Sequence, residues 1–182
     1  MTVADDIRLE GDVVRLRMRK ESDLPKFVRW YNDPEVRHWL HMSEAPEQTL
    51  DGERQRWELT RGDPTRLSFV IETTEGVPIG QVGLVAIDEA HRRAELGISI
   101  GEKAYWGRGF GTDALRVILR FAFETLDLHR IELITDADND RGIRAYEKAG
   151  FKHEGLLRGK RQRYKQPIDM LLMSVVRPDV DA

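Results

Sequence analysis

Three glycines at alternate positions, Gly107, Gly109 and Gly111, fall in the run Tyr105-Trp106-Gly107-Arg108-Gly109-Phe110-Gly111-Thr112-Asp113, directly before a stretch of helical periodicity. Glycine lets the backbone take positive φ and come close to a ligand. A helix start leaves amide N–H groups without partners and carries a partial positive charge. The combination suits an anion, most often phosphate or pyrophosphate. A Gly-rich turn without a ligand is the plain alternative. A second pair lies downstream: Asn139 and Tyr146 are seven residues apart. On an α-helix they would share a face about 10 Å apart, an amide at one end of a ligand and a phenol at the other. Alone, such an Asn reads as a helix N-cap and such a Tyr as a core ring.

Elements to position these residues are visible in the chain. Residues 13–17 read as a first strand, and Leu24, Phe27, Val28 and Tyr31 follow the spacing of an amphipathic helix that Asn32-Asp33-Pro34 ends. A helical turn at 35–40 and a further helix over 47–60 follow, closed by Arg61-Gly62-Asp63-Pro64. Residues 67–73 and 77–87 make a hairpin around Thr74-Glu75-Gly76. Over 93–100, Leu96, Ile98 and Ile100 alternate with Glu95, Gly97 and Ser99, a strand that leads into the glycine loop. A helix to about 125, a strand over 129–135 and a helix over 139–149 ending at Gly150 come next, then closing strands over 151–157 and 163–176. The expectation is one α/β domain with a central mixed, mostly antiparallel sheet of about seven strands flanked by helices. It runs over 13–177, with an N-terminal extension (1–12) and a C-terminal tail (178–182).

Composition removes several classes. The chain has 182 residues, 40% of them hydrophobic and 34% charged, as in an ordinary globular domain. A net charge of −3 gives no global basic footprint, so nucleic acid is not favoured as a partner. It would suit an amine substrate, although so small a value decides nothing. There is no cysteine, so there are no disulfides, no thiol nucleophile and no thiolate metal site. Five scattered histidines show no metal-ligand spacing, so no metal is expected. Residues 1–10 lack a signal-peptide pattern, and no run approaches ~20 apolar residues, so no membrane partner and a cytoplasmic location are expected. A dinucleotide or P-loop enzyme is disfavoured: Thr112 stands where G-x-G-x-x-G needs its third glycine, and no G-x-x-x-x-G-K-[ST] occurs.

Together the two motifs resemble those of the GNAT superfamily of N-acetyltransferases. The loop Gly107-Arg108-Gly109-Phe110-Gly111 is similar to that family's pyrophosphate loop for acetyl-coenzyme A. The run Asn139-Asp140-Arg141-Gly142-Ile143-Arg144-Ala145-Tyr146-Glu147-Lys148-Ala149-Gly150-Phe151 is similar to its second signature. Tyr105-Trp106-Gly107-Arg108-Gly109 and Trp30-Tyr31-Asn32-Asp33-Pro34 look most like the Rim-type N-terminal acetyltransferases. Trp106 is a departure, because many members carry Gln or Arg there.

The resemblance implies acetyl-CoA as cosubstrate, bound by Leu96, Gly97, Ile98, Ser99, Ile100, Arg108, Gly109, Phe110, Gly111, Thr112, Asn139 and Tyr146. It implies direct transfer to a primary amine, first of all a protein or peptide N-terminus. A polyamine, aminoglycoside or amino sugar is the alternative acceptor, and a non-catalytic acetyl-CoA-binding module is a further one. Tyr146, protonated at pH 7 with an ordinary pKa near 10, would protonate the departing thiolate. Glu95 is the carboxylate placed to act as base, directly or through a water, with a surface pair to Arg93 or Arg130 as its plain alternative. Glu132 and Asp136 stand behind it, and His129 reads as the start of a strand. The basic run Arg158–Lys165 reads as a solvated hairpin, or as a contact for RNA or the coenzyme's 3′-phosphate. Trp30, Tyr31, Trp39 and Trp57 fall where the family builds its acceptor pocket. Pairing of C-terminal strands, also by resemblance, implies a homodimer.

Overall fold

The alternation of β-branched and aromatic residues with polar ones is realised as strands that form one sheet. A computed structural model describes residues 7–177. Among them, eight strands form a sheet in the order β1-β2-β3-β4-β5-β6-β8-β7. The strands are β1 (Arg8–Glu10), β2 (Val14–Met18), β3 (Leu67–Thr73), β4 (Pro78–Asp88), β5 (Arg93–Ile100), β6 (Arg130–Asp136), β7 (Lys152–Arg163) and β8 (Gln166–Val176). The eighth strand, beyond the expected seven, is β1, which pairs with β2 inside the stretch read as an extension. The helices are α1 (Leu24–Asn32), α2 (Pro34–Trp39), α3 (Leu50–Thr60), α4 (Phe110–Arg120) and α5 (Asp140–Lys148). Among the described residues no helix is long and apolar enough to cross a membrane.

Each face of the sheet buries its own helices. Leu16, Phe69, Ile71, Leu84, Leu96 and Ile131 form the larger core with Ala114, Leu115 and Ile118 of α4 and with Ala122 just beyond it. Val70, one residue out of phase with Phe69 and Ile71, faces the other way and packs against Phe27, Trp30, Tyr31 and Val36 of α1 and α2. This period-two split turns a linear pattern into two layers of helix around one sheet. Phe27 anchors the smaller cluster, its ring centre 5.2 Å from that of Trp30 and 5.8 Å from that of Tyr31.

One feature of the topology makes room for a ligand. All strand pairs are antiparallel except β5 with β6. A parallel pair needs a crossover, here supplied by α4. The parallel ladder holds for only three positions, Arg93 with Arg130, Ala94 with Ile131 and Glu95 with Glu132. Beyond Glu95, β5 stays paired with β4, while β6 follows β8. The two strands diverge, and among the described residues no strand lies against the edge of Leu96–Ile100 that faces β6. Peptide groups left this way need another partner.

Candidate active site

A cleft of about 1340 Å³ opens along this divergence. It has two ends in the strand register. Ile100, opposite Gly80, marks one, near the start of α4; Leu96, opposite Leu84 and hence Leu67, marks the other, near the end of α3.

At the Ile100 end the glycine loop takes the conformation that glycine makes cheap. Gly107 and Gly109 have φ of +71° and +90°. Gly109 is the N-cap of α4 and no side chain caps the helix, so its first amides are left for a ligand. A Cβ on Gly107 or Gly109 would meet nothing within 4 Å, so the requirement there is conformational. Asp113, in the first turn of α4, turns its carboxylate elsewhere and accepts from Val13 N at 2.8 Å and Val14 N at 3.0 Å. It ties the helix to β2 and leaves the positive end of α4 uncancelled by a carboxylate at the loop.

Gly109, Gly111 and Thr112 line the cleft, whereas Arg108 and Phe110 do not. The Arg108 guanidinium lies 5.7 Å and 5.9 Å from the ring centres of Tyr105 and Phe110. Those two side chains brace the loop, and only their backbone could serve a phosphate. Trp106 lines the cleft too, its indole N–H donating to Ile100 O at 2.7 Å.

Leu96, Gly97, Ile98, Ser99 and Ile100 line the cleft from one end to the other, and Asn139 and Tyr146 line it as well. Asn139 is committed to structure: its Oδ1 accepts from Gly142 N at 3.1 Å and its Nδ2 donates to Thr135 Oγ1 at 3.1 Å. It is the N-cap of α5, which fixes where the helix starts and hence where Tyr146 falls two turns on. The Tyr146 ring packs edge-on against Phe151, 6.0 Å between centres. Burial pushes its phenol above the ordinary value, with Thr135 pulling the other way. The phenol therefore keeps its proton across the neutral range.

The carboxylates are arranged otherwise than their sequence positions suggest. Glu95 is exposed and lies outside the cleft lining, beside Glu132 at the point where the strands part. Glu132 accepts from Arg130 Nε at 3.0 Å. Asp136 is buried, accepts from Arg163 Nη2 at 2.5 Å and stands 3.4 Å from His41 Nε2. His41 lines the cleft, and burial lowers its pKa against the pull of Asp136. The basic run is a hairpin whose inward residues depart from a purely solvated face, because Arg161 lines the cleft and Arg163 reaches Asp136.

Sequence reasoning passed over the carboxylate that does line the cleft. Glu53 of α3 is fully buried, paired with Arg19 Nη2 at 2.5 Å and Arg56 Nη1 at 3.0 Å. No apolar stripe announces it: Leu50, one turn earlier on α3, is exposed. Tyr31 stands beside it, its phenol pushed up to about 12 by burial first and by the Glu53 charge second. Of the four aromatics expected in an acceptor pocket, Tyr31, Trp39 and Trp57 line the cleft, while Trp30 is core and donates to Glu102 Oε1 at 2.9 Å.

Comparison with known proteins gives this geometry a context. A family model described as Acetyltransferase (GNAT) domain matches residues 14–152. The uncharacterized N-acetyltransferase p20 of Bacillus licheniformis is 29% identical over 90% of this chain and 93% of its own length. The spermidine N(1)-acetyltransferase of Escherichia coli (strain K12) is 33% identical over 79% of this chain and 75% of its own. The crystal structure of the spermidine N-acetyltransferase from Vibrio cholerae in complex with CoA and spermine matches with a TM-score of 0.86. It is 25% identical, with 94% of this chain and 100% of that chain covered.

Proposed function

The chain belongs to the GNAT acetyltransferases, and from that premise we propose that it moves an acetyl group from acetyl-CoA to the primary amine of a small molecule. Acetyl-CoA-dependent N-acetyl transfer is the activity of the family. The small-molecule acceptor is the finer reading, and relatives named for spermidine favour it over a protein N-terminus. The observation that carries the site assignment is the divergence of β5 from β6 with Tyr146 beside it.

In this reading the first amides of α4 hold the diphosphate and the free edge of Leu96–Ile100 pairs with the pantetheine arm. The amine nitrogen attacks the thioester carbonyl carbon, the carbon–sulfur bond breaks, and the thiolate takes the Tyr146 phenolic proton. The attacking nitrogen loses a proton to water, with Glu95, exposed one residue before the lining begins, as the carboxylate that receives it. Glu53 is no rival base, since Arg19 and Arg56 hold its oxygens.

Mass spectrometry of a mixture of small amines and short free peptides, incubated with the protein and acetyl-CoA, tests the acceptor class. Acetyl on a small amine supports it, and acetyl on peptides alone overturns it. The Tyr146→Phe variant should lose about 10²-fold or more in kcat and still bind CoA. An unchanged kcat would remove Tyr146 from the chemistry.

A further inference from the structure

Resting on the reading that the cleft acetylates a small amine, we infer that this acceptor carries an anionic group, a carboxylate or a phosphate, received by the arginines at the Leu96 end. Four guanidiniums line that end, Arg19, Arg56, Arg61 and Arg66, against one carboxylate, Glu53. Glu53 is ion-paired twice, to Arg19 through one oxygen and to Arg56 through the other, although the second oxygen accepts no hydrogen bond. The arginines are not used up in return. Arg19, about nine-tenths buried, has an Nε with no hydrogen-bond partner. Arg61 lies 4.9 Å over the Trp57 ring, a contact that orients its plane without neutralising it. Arg66 has Asp63 at 3.6 Å, but that carboxylate also accepts from Thr65 N at 2.9 Å and Thr65 Oγ1 at 2.7 Å.

The coenzyme's phosphates do not account for this charge. They belong at the Ile100 end, by the first turn of α4, where α5 contributes its own cations Arg144 and Lys148 to the lining. A planar guanidinium presents paired donors that match a carboxylate or phosphate. A polyamine entering the same end would set ammonium groups against four guanidiniums, with Glu53, already ion-paired to two of them, as the one carboxylate among the described lining residues.

Matched acceptors separate the charge from the rest of the molecule: glucosamine 6-phosphate against glucosamine, 4-aminobutyrate against 4-aminobutanamide, and spermidine as the polycation. The anionic member of each pair should have a kcat/KM at least about 10-fold higher, and Arg61→Glu should abolish that preference while the KM for acetyl-CoA holds. Calorimetric binding of the same pairs to the CoA complex of Tyr146→Phe reads the preference without turnover. Preference for the neutral members or for spermidine overturns the inference. So does an unchanged ratio in both Arg61→Glu and Arg66→Gln. Should no amine be acetylated, the transfer reading fails, while the binding ratio still decides the charge of the ligand.

Discussion

The guanidinium of Arg141 lies 3.8 Å from the centre of the Trp106 ring, and burial lowers its pKa. This stack answers the departure at Trp106, where the resemblance leads one to expect a side chain that can bond a phosphate. Here the indole binds Ile100 O and its face carries a cation delivered from α5. Arg141→Ala should raise the KM for acetyl-CoA by about 10-fold, since a charge-assisted hydrogen bond is worth ~1.5–3 kcal/mol. The kcat at saturating acetyl-CoA should stay within about 2-fold, because the guanidinium stacks on Trp106 and not on Tyr146. Steady-state kinetics with acetyl-CoA varied give the split. A fall in kcat with KM constant would contradict the assignment.

Tyr31 sets an alkaline limit on stability. Its folded pKa is raised to about 12, against an ordinary value near 10. The contribution of the neutral phenol is fully present below pH 10 and is lost as pH rises from 10 through 12, where the unfolded chain ionises first. Two units correspond to about 2–3 kcal/mol. Urea midpoints at pH 8, 10 and 11.5 should fall for the wild type and fall less for Tyr31→Phe. Parallel curves for the two proteins would show that Tyr31 is not the group responsible.

Arg37 holds the wall between α2 and α3 together by bonding backbone oxygens. Its Nη1 donates to Tyr31 O at 3.1 Å and Pro46 O at 3.4 Å, and its Nη2 to Met42 O at 2.6 Å and to Ala45 O. Arg37→Met strands these carbonyls and should cost about 3 kcal/mol or more. Arg37→Lys should recover little of it, since one ammonium cannot span a fork that reaches both sides of the loop. Thermal unfolding of the two variants measures this. Recovery of the wild-type midpoint by Lys would show that charge, and not the fork, matters.

Local sterics were legible in the chain; tertiary charge pairing was not. The strand at Arg93–Ile100 begins and ends as its alternation requires, with Ala94 and Leu96 buried and Glu95 exposed. Gly107, Gly109 and Gly150 take positive φ, as their places at a helix start and a helix end demand. Each of these is decided by a few neighbouring residues. Glu53 meets Arg19 across 34 positions, and Arg163 meets Asp136 across 27; no local pattern announces either contact. The strand Arg8–Glu10 was missed for a related reason, because three residues become a strand only by pairing with Arg15–Arg17. The helix predicted from residue 47 starts at Leu50 instead. Thr49 caps it by accepting from Gly52 N at 3.1 Å, and Asn32 bonds Gln48 into the preceding loop.

The three-position ladder between β5 and β6 also divides the sheet mechanically. Strands β2 to β5 are held to one another by antiparallel ladders of five positions or more, as are β6, β7 and β8, and the two blocks share only Arg93–Glu95 against Arg130–Glu132 as sheet. Such a seam is a natural border between cooperative units. In the proposed binding mode, a cosubstrate laid along Leu96–Ile100 would act as a splint, its amide groups spanning the gap that the polypeptide leaves. In amide exchange the two blocks should open with separate free energies in the free protein and merge into one unit when CoA is bound.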